Sequence, residues 1–150
     1  MLADAMARIR RFSESLPMLL LRARETAMSH FRPILKAHGV TEQQWRALRA
    51  LHELHELTAA GLAAECAILA PSMTRIIRRL SSNGLVLVKR SKDDQRELRL
   101  KVSAKGKRLV ERLGPQIEAT YAEIREQMEP AHMMALYREL GHFIERVDSR

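Results

Sequence analysis

The sequence predicts a mainly α-helical domain carrying one small β-hairpin, and three observations predict it. Apolar residues recur at three- and four-residue steps through most of the chain, the pattern of helices that bury one face. That period breaks once, between residues 85 and 102, where a short apolar run is followed by strict alternation. Hydrophobic residues make up 46% but aromatics only 4%, a balance that packs helices through Leu, Ala, Ile and Met rather than building a β-sandwich. With 150 residues, the chain has the length of one domain.

The elements follow in order. Leu16, Leu19, Leu20, Ala23, Ala27, Phe31, Ile34 and Leu35 share one face of a helix from 16 to 38. Pro17 suits its first turn. Pro33 predicts a kink or break near the preceding residue, and Gly39 supplies a C-terminal stop. Thr41, with Gln44 three residues on, reads as a capping box opening a second helix, whose stripe is Trp45, Leu48 and Leu51. Thr58 caps a third helix reaching about Ile68, after a short connection ending at Leu57. Pro71 fits the first turn of a fourth, with Met73, Ile76, Ile77 and Leu80 inward and Asn83-Gly84 as its stop.

Leu85 to Val88 then forms one strand, Lys89 to Glu97 a charged loop, and Leu98, Leu100 and Val102 the alternating face of a second strand. Ser103 caps a long helix toward Met128, with a bend expected at Gly114-Pro115. A last helix starts near Pro130 and carries Met133, Met134, Leu136, Tyr137, Leu140, Phe143, Ile144 and Val147. The first and last helices expose more apolar surface than a small central unit covers, so pairing with a second copy is expected.

Charge narrows the partner. The formal net charge is +8, which favours a polyanion, because Lys and Arg release condensed counterions from DNA. An anionic membrane surface uses the same charge, and only the position of the cations separates the two. No run approaches the roughly 18 apolar residues of a membrane span, and the N-terminus has no signal-peptide core. The expectation is a cytoplasmic protein without a membrane partner. No phosphate loop, nucleophile elbow or paired-carboxylate cleft points to an enzyme, and no cofactor is implied. The single cysteine, Cys66, excludes an intramolecular disulfide. It lies in an apolar stretch and reads as a buried structural thiol. His52 and His55 sit three apart without further ligands, a weak metal signal.

The fourth helix carries the chemistry that DNA needs. Ser72, Arg75 and Arg79 fall at steps of three and four on one side, flanked by Thr74 and Arg78. Short hydroxyls let a helix approach the major groove closely, and arginines reach guanine O6 and N7. Arg75 is the candidate for base readout; Ser72 and Thr74 are candidates for phosphate or base-edge contacts. In the hairpin, Lys89, Arg90, Lys92 and Arg96 make a basic ribbon suited to an adjacent minor groove.

The stretch Ala70-Pro-Ser-Met-Thr-Arg-Ile-Ile-Arg-Arg-Leu-Ser-Ser-Asn-Gly-Leu-Val86 resembles the recognition helix of the MarR family of transcriptional regulators. Asp94-Gln95-Arg96, with Leu98, Leu100, Val102-Ser103 and Gly106, resembles that family's wing. The segment from Arg24-Glu25 to Arg46, including Met28-Ser29, Phe31-Arg32-Pro33-Ile34 and Thr41-Glu42-Gln43-Gln44-Trp45-Arg46, is similar to the homoprotocatechuate degradation operon regulators within it. The resemblance implies a winged helix-turn-helix homodimer, one MarR-type domain over 1–150. Residues 41–103 would form the DNA-binding lobe, and 8–40 with 104–150 the helical dimerisation region. It implies repression of a catabolic operon for hydroxyphenylacetate-type aromatics from a pseudo-palindromic operator. It also implies that Arg96 enters the minor groove, with Asp94 orienting its guanidinium.

Effectors of that family lodge between the dimer-forming helices and the DNA-binding lobe. For a small aromatic carboxylic acid, such a site needs an apolar wall and a cation. Trp45, Arg46, Ser29, His30 and Arg32 lie in the right region. Arg46 is the expected carboxylate partner, and Ser29 or His30 the partner of a phenol or carboxylate oxygen. The alternatives are a redox- or metal-responsive regulator of the same fold, or a basic membrane-surface or scaffold protein.

Overall fold

The computed structural model describes residues 9–147, so the outer limits 8 and 150 of the expected helical region lie outside the described residues. After a 3-10 turn at Phe12–Glu14, the order is α1 (Leu16–Ala37), α2 (Glu42–Leu54), β1 (Leu57–Thr58), α3 (Ala59–Glu65), α4 (Ala70–Ser82), β2 (Val86–Arg90), β3 (Leu98–Val102), α5 (Ala104–Met128) and α6 (Pro130–Val147). A mainly α chain with a small β wing is what the pattern predicts.

The caps explain most of the boundaries. Ser15 accepts a hydrogen bond from the Met18 amide ahead of α1, and Thr41 and Gln44 complete the reciprocal capping box of α2. Thr58 and Ser103 accept from the Gly61 and Gly106 amides at the starts of α3 and α5. Each satisfies one of the donors that a helix leaves unpaired at its first turn.

Neither interior proline ends its helix. α1 runs through Pro33 and α5 through Pro115 as single elements, so of the kink or break expected at the first, a break does not occur. Both prolines are exposed, and each is bracketed by buried anchors: Phe31 and Leu35 around Pro33, Leu113 and Ile117 around Pro115. Packing on both sides holds the helical course where a lost amide donor alone would disfavour it. The third helix stops at Glu65 rather than near Ile68, because Ala67 takes a positive φ of 49° that a helix does not accommodate.

The hairpin proves to be part of a three-stranded antiparallel sheet of order β1-β3-β2. Leu57, expected in a connection, pairs with Leu100, and Thr58 with Arg99; β2 runs from Val86 opposite Val102 to Arg90 opposite Leu98. Two residues carry too little alternation to signal a strand from sequence. Their pairing nevertheless ties the wing to the start of α3.

Two apolar clusters make the core. The larger joins Leu48, Leu51, Leu62, Met73, Ile76, Ile77, Leu80, Val86 and Leu100 across α2, α3, α4 and the sheet. The smaller joins Phe31 and Leu35 of α1 to Leu113 and Ile117 of α5. Trp45 and Leu109 pack against both, so α2 and α5 join the two clusters. At the foot of α5 the backbone approach is close: a Cβ on Gly106 would sit 2.2 Å from the Leu85 carbonyl oxygen. The Ser103 hydroxyl donates to the Gly84 carbonyl at 2.6 Å beside it.

Only Phe31 and Leu35 of the α1 stripe are buried. Leu16 and Leu19 remain about half exposed, as do Tyr137, Ile144 and Val147 of α6. Among the described residues nothing covers these apolar side chains.

Candidate nucleic-acid interface and effector region

α3 and α4 meet at 110°, within the 90–120° of a helix-turn-helix pair. The inward stripe of α4 is buried at Met73, Ile76, Ile77 and Leu80. With that face fixed, helical geometry turns Thr74, Arg75, Arg78 and Arg79 to solvent and leaves Ser72 half-buried. The Thr74 hydroxyl donates back to the Ala70 carbonyl at 3.0 Å, and Arg75 reaches only a long 3.4 Å contact with the Ser72 hydroxyl. Among the described residues, no carboxylate lies within ion-pair distance of Arg75, Arg78 or Arg79.

Ser91, which the sequence did not single out, builds the wing tip. It is buried, its hydroxyl accepts from the Asp93 and Asp94 amides, and its own amide donates to the Glu97 carbonyl. Asp94 Oδ1 accepts from the Arg96 backbone amide at 2.9 Å, a turn the short acidic side chain closes by itself. Among the described residues Asp94 makes no contact with the Arg96 guanidinium; its carboxylate shapes the loop backbone instead. Lys92 and Arg96 project from that loop, exposed and, among the described residues, without an acidic partner. At the base of the wing, Glu56 pairs with Lys101 at 2.8 Å and with Arg99 at 3.7 Å. Hydrogen bonding from Lys101 holds its carboxyl below the ordinary range.

The α1–α2 region looks quite different. Arg24 and Arg32 of α1 both grip Glu42 at the first turn of α2, and Arg32 also meets Glu25 at 2.7 Å. Hydrogen bonds, Arg24's first, lower the Glu42 pKa, and the Glu25 and Glu42 carboxylates raise that of Arg32. Arg46 donates to the Cys66 carbonyl at 2.8 Å and stands 3.8 Å from Glu42. The two arginines expected to offer a cation to an effector are therefore already engaged. Ser29 is exposed and donates to the Thr26 carbonyl, and His30 is exposed as well.

Trp45 alone of the expected effector residues stands where the two clusters meet. Its companion is Arg49, one helical turn on, whose guanidinium carbon lies 5.8 Å from the ring centroid, a cation–π distance. Phe31 packs on Tyr121 of α5 with ring centroids 4.7 Å apart. Burial pushes the Tyr121 phenol pKa up, with Arg49 near enough to oppose the shift. Phe31, Trp45, Arg49 and Tyr121 thus bring aromatic walls, a phenol and a cation to one place. A pairing of Trp45 with the residue four positions on, rather than the adjacent Arg46, was the available signal for Arg49.

The Cys66 thiol is buried, and that burial raises its pKa, the opposite of what a reactive thiolate needs. No group of three or more metal-ligating side chains occurs among the described residues, and His52 and His55 gather no further ligand. Among the described residues no single helix is long and apolar enough to cross a membrane.

A helix-turn-helix followed by a β wing, between helices with an uncovered apolar face, defines a winged-helix regulator. The MarR family model matches residues 40–98. The chain is 42% identical over 137 residues to the homoprotocatechuate degradative operon repressor of Escherichia coli, covering 91% of this chain and 93% of the relative. It is 39% identical over 117 residues to the HTH-type transcriptional regulator FarR of Neisseria gonorrhoeae, covering 78% and 80%. NadR in complex with 4-hydroxyphenylacetate superposes with a TM-score of 0.82 at 35% identity, over 90% of this chain and 98% of that one. The chain belongs to the MarR family.

Proposed function

We propose that this protein is a homodimeric repressor of an aromatic-catabolic operon, released from its operator by a small hydroxyphenyl carboxylic acid such as 4-hydroxyphenylacetate. The observation that carries the DNA reading is the set of unpaired cations on α4 and the wing. Arg75, Arg78, Arg79, Lys92 and Arg96 lack the carboxylate partners that the α1–α2 arginines have. Arg75 reads base edges, Ser72 and Thr74 contact phosphates or base edges, and Arg96 enters the minor groove beside Lys92. Asp94 keeps that loop in shape. Residues 41–103 act as the DNA-binding lobe. The helices on either side, through the uncovered face of Leu16, Leu19, Tyr137, Ile144 and Val147, join two copies. The protein works in the cytoplasm, and no feature of it calls for catalysis.

The effector reading rests on Arg49, Trp45, Phe31 and Tyr121. Arg49 takes the carboxylate in place of Arg46, whose guanidinium is committed to Cys66 and Glu42, while the rings wall the phenyl group. Because these residues bridge the two clusters, ligand that fits one spacing of the lobes better than the other shifts the population of DNA-competent dimers. A coupling of 1–3 kcal/mol corresponds to about 5–150-fold in operator affinity. Fluorescence anisotropy on duplex from the region upstream of the gene, against random duplex, tests both halves. Tight binding reversed by 4-hydroxyphenylacetate is expected. Specific binding indifferent to the acid removes the effector assignment, and no preference over random DNA removes the repressor itself.

A further inference from the structure

A second group of cations lies on α5, beside the turn that ends α4. The turn after α1, the turn after α4 and the first half of α5 enclose a cleft of about 290 Å³. Its apolar wall is Val40, Leu85 and Leu109, and its basic wall is Lys105, Arg108 and Arg112. The three cations stand at steps of three and four, hence on one face of α5, and like charges so spaced repel. Lys105 donates to the Asn83 carbonyl at 2.8 Å. Among the described residues, no carboxylate comes within 4 Å of any of the three. A protein usually relieves such a cluster with acidic neighbours, as Glu42 does for Arg24 and Arg32; here the relief has to come from outside.

We infer that this cleft binds a small organic polyanion, a di- or tricarboxylate, with its carboxylates on Arg108 and Arg112 and its carbon skeleton against Val40, Leu85 and Leu109. The volume is at the lower end of small-molecule sites, and arginine forks suit adjacent carboxylates. A DNA backbone is the poorer fit, since a phosphodiester chain leaves the recessed apolar wall unused. The cleft is also at the far end of α4 from Ser72, about 16 Å along the helix axis at 1.5 Å per residue. A partner copy joined through Leu16, Leu19, Tyr137, Ile144 and Val147 would use none of the residues that line the cleft. The cleft is separate from the group around Arg49 and stands whether or not that assignment holds.

Isothermal titration of the full-length protein with citrate tests it, alone and with saturating 4-hydroxyphenylacetate. Citrate should bind in both cases. The paired substitution Arg108→Gln with Arg112→Gln, both at exposed positions, should weaken citrate by at least about tenfold while leaving the melting temperature and operator affinity unchanged. Arg112→Lys should retain part of the affinity. Absence of citrate binding, equal binding by the double variant, or displacement of citrate by the aromatic acid would each overturn the proposal. So would a double variant that keeps citrate but loses DNA affinity with a flatter salt dependence, which would make the cleft a backbone contact.

Discussion

The arginines of α4 and the wing and those of α1 and α2 are the same residue type in opposite circumstances. Among the described residues Arg75, Arg78, Arg79 and Arg96 face solvent without a carboxylate, whereas Arg24, Arg32 and Arg46 converge on Glu42. An arginine left unpaired keeps its five donors for a partner not yet present; one held by a glutamate has spent them on the fold. The difference teaches that a basic residue near an expected site is a functional candidate only once its internal partners are known. It is also why the proposed effector cation is Arg49 rather than Arg46, since Arg49 lies over the Trp45 ring face and, among the described residues, makes no side-chain hydrogen bond.

The sharpest way to break the contrast is to exchange the two candidates. Arg49→Ala should weaken 4-hydroxyphenylacetate by about 10–150-fold, the loss of a charge-assisted hydrogen bond of roughly 1.5–3 kcal/mol, with operator affinity in the absence of ligand nearly unchanged. Arg46→Ala should instead lower thermal stability and leave ligand affinity within a few-fold. Calorimetric titration beside a melting curve reads both; the reverse pattern would restore Arg46 as the carboxylate partner.

Within the unpaired set, α4 and the wing should also separate. Arg75→Ala should cost about 1–3 kcal/mol on the operator and relax preference at one base position, with much less effect on random duplex. Arg96→Ala should weaken both duplexes similarly and lower the salt slope by about one. Equal losses on specific and random DNA for Arg75→Ala would take base readout away from it.

How much of this was legible in the sequence follows from the range of the interactions involved. The α4 face was readable because one helical period fixes it: once Met73, Ile76, Ile77 and Leu80 point inward, the arginines have nowhere else to go. The capping box at Thr41 and Gln44 is equally local. The unbroken course of α1 through Pro33 was not readable, because it depends on Phe31 and Leu35 packing against α5, dozens of residues away. β1 was hidden for the same reason, its two residues being strand only by virtue of β3. The engagement of Arg46 rests on the Cys66 carbonyl twenty positions on, and no periodicity announces such a contact. The hold of Asp94 on the Arg96 backbone amide was not foreseen either, although a side chain that short commonly meets the nearest backbone amide.

The smallest expected effect sharpens the other half of the comparison, the claim that the α1–α2 arginines serve the fold. Glu42 has a depressed pKa because Arg24 and Arg32 hydrogen-bond its carboxylate. A carboxyl depressed in the folded state binds protons more readily when unfolded, so its contribution is fully present above the unfolded value. That contribution is lost as pH falls through the lower folded value. Its partners are 41% and 43% exposed, so solvent screening limits the contribution to about 0.5–1 kcal/mol. Urea unfolding of wild type and Glu42→Gln should differ by about that amount at pH 7 and converge as pH falls below the ordinary carboxylate range. The gap should also narrow in high salt, as an exposed ion-pair network requires. A gap that persists at low pH would mean that Glu42 stabilises α2 through something other than its charge, and the contrast between spent and unspent arginines would lose its electrostatic basis.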